Sequence, residues 1–236
     1  MWLIADYVPV SLFTFRSVQA TSSGAKSLFI PTPFAIRTAL LDAAIRTKGI
    51  QIGELAFNLI KGIPIAVLPP EQVVVTNLFS KILKPTREKN ANSALVRTIA
   101  FREFAYLSGN MLLAFQIEDE QAFEISLLLN QINYFGKRGS FFQFFKQTMV
   151  NELPSNFVLL DGPFIEDKKT NGTWPHIFKV GIIQIMDDWG NDLTFEKVNV
   201  FSDEKIRVGS DRIRKSIILP YCLVRSSKSF SYYERI

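Results

Sequence analysis

The residues best suited to chemistry lie in one short stretch, Phe135-Gly136-Lys137-Arg138-Gly139-Ser140-Phe141-Phe142-Gln143-Phe144-Phe145. Two cations sit between two glycines, and aromatics follow at once. Glycine has no Cβ, so the backbone of such a loop can come close to a ligand. Lys137 and Arg138 suit phosphate oxygens, and an exposed ring such as Phe135 or Phe141 can stack on a base. The same residues also describe a solvated turn that leads into a buried aromatic element. The loop alone does not choose between the two.

A second group of cations is denser. Residues 80–102 hold Lys81, Lys84, Arg87, Lys89, Arg97 and Arg102 against one acid, Glu88. Pro85, Asn90, Asn92 and Ser93 describe an extended loop between strands. A long basic excursion from a sheet can lie along a phosphate backbone. A loop whose charges only face water has the same composition. A further cluster, Lys205, Arg207, Arg212, Arg214, Lys215, Arg225 and Lys228, is diluted by Asp203, Glu204 and Asp211. Arg16 and Lys26 flank hydroxyl residues just before the first helix, and helix starts favour anions.

Composition removes most catalytic chemistry. The 236 residues carry a net charge of +5, which favours a polyanionic partner. There is one Cys, Cys222, and one His, His176. A single cysteine forms no intrachain disulfide, and one Cys with one His builds no zinc cluster. His176 follows Thr173-Trp174-Pro175 with no nucleophile elbow nearby, and reads as a strand or loop residue. Cys222 reads as a buried strand position. There is no P-loop, no dinucleotide glycine fingerprint and no HExxH motif. The acidic pairs Asp187-Asp188 and Asp203-Glu204 read as turn residues, because neighbours on a strand point to opposite faces and do not converge on a metal. No cofactor and no metal are expected. The N-terminus has no basic region of the signal-peptide kind, and no apolar run reaches a membrane span. A soluble, cytoplasmic protein without membrane contact is expected.

These residues need a scaffold. Residues 2–10 predict a strand and residues 34–46 a helix, with Thr32 as cap and Pro33 in the first turn. Its small residues Ala35, Ala39, Ala43 and Ala44 predict close packing on a sheet, with Arg37 toward the exposed side. Residues 52–61 predict a second helix, and 65–68 and 73–76 two strands. Residues 95–106 and 111–117 predict strands joined by the hairpin turn Ser108-Gly109-Asn110. Residues 118–130 predict a helix whose periodic positions include Phe123, Leu127 and Asn130. Strand, helix, paired strands, helix and closing strand outline a ferredoxin-like α+β domain over residues 1–150. Residues 151–236 predict a smaller β-rich C-terminal part, with strand-like runs at 157–160, 178–186, 193–201, 205–208 and 216–224.

With these segments in order, the chain resembles the CRISPR-associated RAMP superfamily, and within it the Cas-five family. Three stretches carry the resemblance. Ser27-Leu28-Phe29-Ile30-Pro31-Thr32-Pro33-Phe34-Ala35-Ile36-Arg37-Thr38-Ala39-Leu40-Leu41 resembles the family's proline-flanked entry into its first helix, followed by a small-residue helix. Leu95-Val96-Arg97-Thr98-Ile99-Ala100-Phe101-Arg102-Glu103-Phe104-Ala105-Tyr106 is similar to the strand after its thumb. Tyr134-Phe135-Gly136-Lys137-Arg138-Gly139-Ser140-Phe141 looks like its glycine loop. The resemblance implies an RRM-like RAMP domain with a β-hairpin thumb at about residues 73–97. It implies a subunit of a type I Cascade complex that caps the five-prime repeat handle of a CRISPR RNA. Its partners would be that RNA, a backbone subunit and a large subunit, with target DNA near the PAM close by. The RNA-binding residues would be Arg37, Lys84, Arg87, Lys89, Arg97, Arg102, Gly136, Lys137 and Arg138. Some family members mature precursor RNA without metal, using a Tyr, Lys and His set. With His176 far from the loop in sequence, the reading here is a non-catalytic RNA-binding subunit. Endoribonuclease activity is the alternative.

Overall fold

The computed structural model describes residues 1–17, 20–21, 24–86, 93–160 and 180–236. Along the chain the main elements are β1 (Trp2–Pro9), α1 (Pro33–Lys48), α2 (Gly53–Lys61), β2 (Ile65–Leu68), β3 (Gln72–Pro85), β4 (Leu95–Ser108), β5 (Met111–Gln116) and α3 (Asp119–Asn130). They are followed by β6 (Phe142–Val150), β7 (Val158–Leu159), β8 (Ile182–Trp189), α4 (Phe195–Val198), β9 (Arg212–Leu219), β10 (Tyr221–Ser226) and β11 (Phe230–Arg235). The fold is mixed α+β.

A central antiparallel sheet runs in the order β7, β2, β5, β1, β6. Alternation along β1 sends Leu3, Ala5 and Tyr7 into one large core with α1, α2 and α3. Buried Tyr7 donates its hydroxyl to Leu129 O at 2.8 Å, which ties α3 to the sheet. Burial pushes that phenol's pKa well up, so it stays a donor. The opposite face carries a smaller cluster of Ala66, Ala114 and Phe157, joined by Trp2, Ile4 and Leu68. Local chemistry sets the helix starts. Thr32 Oγ1 accepts from Ala35 N and Pro33 fills the first turn of α1. Glu118 and Gln121 form a capping box on α3.

A second sheet runs β10, β11, β3, β4 and ends on the short strand Gly24–Ala25, which lies parallel to Phe101–Arg102 of β4. β3 and β4 form one ladder from Gln72↔Ser108 out to Pro85↔Leu95, longer than their neighbours. β11 pairs only as far as Thr76. The outer half of the ladder is therefore a two-stranded ribbon, and residues 80–85 are strand rather than the loop that their composition predicts. A third, two-stranded sheet pairs β8 with β9. Residues beyond 150 enter both larger sheets and the main core through β7, β11, Trp189, Leu219 and Tyr221.

Several expectations are corrected. Ser108-Gly109-Asn110 joins two strands but not a hairpin: β4 belongs to the ribbon sheet and β5 to the central one. On α3 the buried positions are Ile125, Leu128 and Leu129, whereas Phe123 and Leu127 are exposed. Residues 195–198 form a short helix, and Pro220 divides the last predicted run into β9 and β10. Cys222 lies on a strand but is exposed, because both faces of β10 are uncovered beyond Tyr221. Asp187 and Asp188 are buried strand residues, not turns.

Candidate nucleic-acid interface

The glycine loop is a tight turn anchored from both sides. Phe135 is fully buried, edge-on to Tyr7 and Phe142. Phe135 N donates to Ser140 O, and Ser140 N to Lys137 O. Buried Phe135 is unavailable for stacking on a base, while Phe141 is exposed. Between these anchors Gly136 takes φ +65° and Gly139 φ +104°. The tip holds Lys137 and Arg138 in solvent. A Cβ on Gly136 would lie 3.8 Å from Ala35 Cβ, so the loop sits over the first turn of α1 without crowding it. Substituting Gly136→Ala is therefore expected to cost about 1 kcal/mol through the left-handed backbone alone. Thermal denaturation of that variant tests this; a loss several times larger would mean that packing, not φ, selects glycine.

The loop, the start of α1 and the β8–β9 hairpin enclose a cleft of about 280 Å³. Its cations are Arg16, Lys137 and Arg212, and Phe15 and Phe34 form its apolar wall. The helix start adds little of its own. Thr32 already occupies Ala35 N, and Pro33 has no N–H. Arg212 lies over the Phe34 ring, with its guanidinium carbon 4.4 Å from the ring centroid, and pairs with buried Asp187. A second hollow, of about 350 Å³, is lined by Ser17, Ala20, Gly24, Lys26 and Phe101; Ser17 follows the short strand Phe15–Arg16, which pairs with Ser27–Leu28. This hollow leads to the root of the ribbon. Arg16 and Lys137 thus share the first hollow, and Lys26 lines the second beside Phe101 of β4.

The ribbon carries the other cations. Antiparallel pairing puts Lys81, Leu83, Arg97 and Ile99 on one face, with Phe79 and Phe101 nearer its root. Lys81 and Arg97 are exposed. Lys84 is half-buried on the other face, opposite Val96, and Arg102 is half-buried near the root, opposite Leu78. Arg87 and Lys89 lie outside the described residues, as does His176.

Arg37 does not join them. It is buried and turned inward, against the expectation of an exposed contact. Its Nε donates to Asp188 Oδ1 at 3.0 Å, and its Nη1 to the carbonyls of Ile60 and Ile63. Lys215 reaches Asp188 Oδ2 at 3.1 Å. Lys197's ammonium and Arg207's backbone N–H hold the Asp211 carboxyl below its usual range. Two of the seven cations of the C-terminal cluster, Arg212 and Lys215, thus pair with buried acids. Sequence reasoning left Arg16 and Arg212 out of the binding set. Arg16 stood as a flank of the early loop, and nothing in the pattern links Arg212 to the distant glycine loop.

Over 201 residues the chain is 25% identical to CRISPR-associated protein Cas5 of Archaeoglobus fulgidus, an alignment that spans 84% of this chain and 83% of that protein. The chain is similar to Cas5 over most of its length. The resemblance carried by the helix entry, the strand after the ribbon and the glycine loop is borne out. No protein-family model matches the chain. The crystal structure of a CRISPR protein from Archaeoglobus fulgidus aligns over the whole chain and 92% of its own, at 12% identity and a TM-score of 0.37. Among the described residues no group of His, Cys, Asp and Glu gathers to hold a metal, and no helix is long and apolar enough to cross a membrane.

Proposed function

We propose that this Cas5-like chain is a non-catalytic CRISPR RNA-binding subunit of a type I Cascade complex. In this reading it caps the five-prime repeat handle of the guide and bridges a backbone subunit and a large subunit beside the target DNA. One observation carries the reading: Arg16 and Lys137 line one hollow beside the glycine loop, and Lys26 lines a second at the root of the ribbon. The strand order β2, β5, β1, β6 within an antiparallel sheet supports a ferredoxin-like RAMP domain, with the β3–β4 ribbon as its thumb. Splayed single-stranded bases rather than duplex grooves would be read. Among the described residues the carboxylate that lines the cleft, Asp187, is held by Arg212, which favours holding RNA over cutting it.

Filter binding of labelled repeat RNA across a salt series tests this reading. Affinity is expected to fall with a log–log slope of about −0.7 for each phosphate neutralised. Binding without a salt slope would remove the phosphate contacts. The same RNA incubated without divalent metal should stay intact; site-specific cleavage would replace this reading with the endoribonuclease one.

A further inference from the structure

We propose that the cleft beside the glycine loop holds one unstacked nucleotide, with its base on the Arg212 guanidinium plane and its phosphate between Lys137 and Arg16. This rests on the RNA reading above and adds a site to it.

The division of labour follows from charge. Arg212 is balanced by Asp187, whose side chain is 3% exposed. A guanidinium already neutralised by a buried carboxylate is a weak phosphate clamp. It is a good platform, because Phe34 backs one side of it and Asp187 fixes its orientation. Its side chain keeps 38% exposure, so a surface remains to be covered. Arginine planes and aromatic rings are the surfaces on which splayed bases stack. Lys137 carries the opposite assignment. It is exposed, and its ammonium has no hydrogen bond or ion pair among the described residues. Arg16 holds the far wall, braced by the carbonyls of Ala20 and Thr21. Counted together, the cleft keeps two positive charges in excess, which suits a phosphate and its neighbour along a chain.

Size limits the ligand. At about 280 Å³ the cleft falls just short of the roughly 300 Å³ at which sites for drug-sized ligands begin. It takes one nucleotide and no base pair. The loop tip beside it, with Arg138 outside the cleft, leaves the strand a way out. Arg212 becomes a base-contacting residue supplied by β9, which makes the β8–β9 pair part of the RNA site.

The test uses the full chain labelled with nitrogen-15, titrated with adenosine 5′-monophosphate and, separately, with ribose 5-phosphate. The amide signals of Gly136 and Lys137 and the side-chain Nε–H of Arg212 report on occupancy. The nucleotide is expected to bind about tenfold more tightly than the baseless sugar phosphate, the worth of one stacked base. Arg212→Lys keeps the pair with Asp187 but lacks the plane. It should erase that tenfold preference while its melting temperature stays near that of the unaltered chain. Lys137→Ala should weaken both probes alike. Equal binding of the two probes, or signals that move only outside the cleft, would overturn the nucleotide site. If repeat RNA still binds with its salt slope in that case, the RNA reading stands without this pocket. If neither RNA nor nucleotide binds, both fall together.

Discussion

Replacing Asp188 with asparagine is expected to remove about 3–5 kcal/mol of folding free energy, a large share of what a domain of this size holds. The substitution keeps shape and removes charge. Asp188 is buried, and each oxygen is committed: Oδ1 to Arg37 Nε at 3.0 Å and to Trp189 N at 2.7 Å, Oδ2 to Lys215 Nζ at 3.1 Å. Arg37 also holds the carbonyls that close α2, so one guanidinium ties α1, the end of α2 and the β8–β9 hairpin together. Without the carboxylate, a guanidinium that is 5% exposed keeps its charge and loses the counterion that Asp188 supplies. The desolvation already incurred is then less well compensated. Urea unfolding followed by tryptophan fluorescence measures the loss. A change below about 1 kcal/mol would mean that water or backbone carbonyls satisfy Arg37 without Asp188. The companion Arg37→Met separates structure from binding. Any fraction that stays folded should bind RNA as the unaltered chain does. A folded variant with weakened RNA affinity would return Arg37 to the interface.

Arg37 also shows where the sequence stops being legible. Charged residues are seldom buried unless paired, so a lone arginine on an alanine-rich helix reads as exposed. Its partner lies 151 residues further along the chain, and no periodicity points to it. The same holds for Arg212, whose place beside the glycine loop comes from the pairing of β8 with β9. What was legible was local. The Thr32 cap, the Pro33 start, the limits of α3 and the double-glycine turn each depend on neighbours within a few residues. The β-ribbon was read only in part. Its alternation was visible, but Pro85 and the asparagines pulled residues 80–85 toward a loop, whereas the partner strand keeps them in the ladder. Alternation also cannot say which sheet a strand joins, so Ser108-Gly109-Asn110 read as a hairpin when it is a crossing between sheets. The glycine loop was identified from its residue types, yet only the fold decides that Phe135 faces the core and Phe141 faces water.

Reversing Lys81 and Arg97 to glutamate is expected to weaken repeat RNA binding by ten- to a hundredfold, on the order expected from losing two phosphate contacts and adding two repulsions. Both side chains are exposed on the same face of the ribbon, so the fold should change by no more than about 0.5 kcal/mol. The salt slope should fall in magnitude by about 1.4, two single-strand phosphates at about 0.7 each. That second readout matters, because the same face also exposes Phe79, Leu83 and Ile99. A ribbon that gripped its ligand through these apolar residues would lose affinity on Leu83→Ser and keep its salt slope. A ribbon that follows a phosphate backbone does the reverse: Leu83→Ser leaves binding nearly unchanged, and the charge reversal flattens the slope. Unchanged affinity after the double reversal would take this face out of the RNA site, leaving the glycine loop and the Arg16 strand to carry the contact alone.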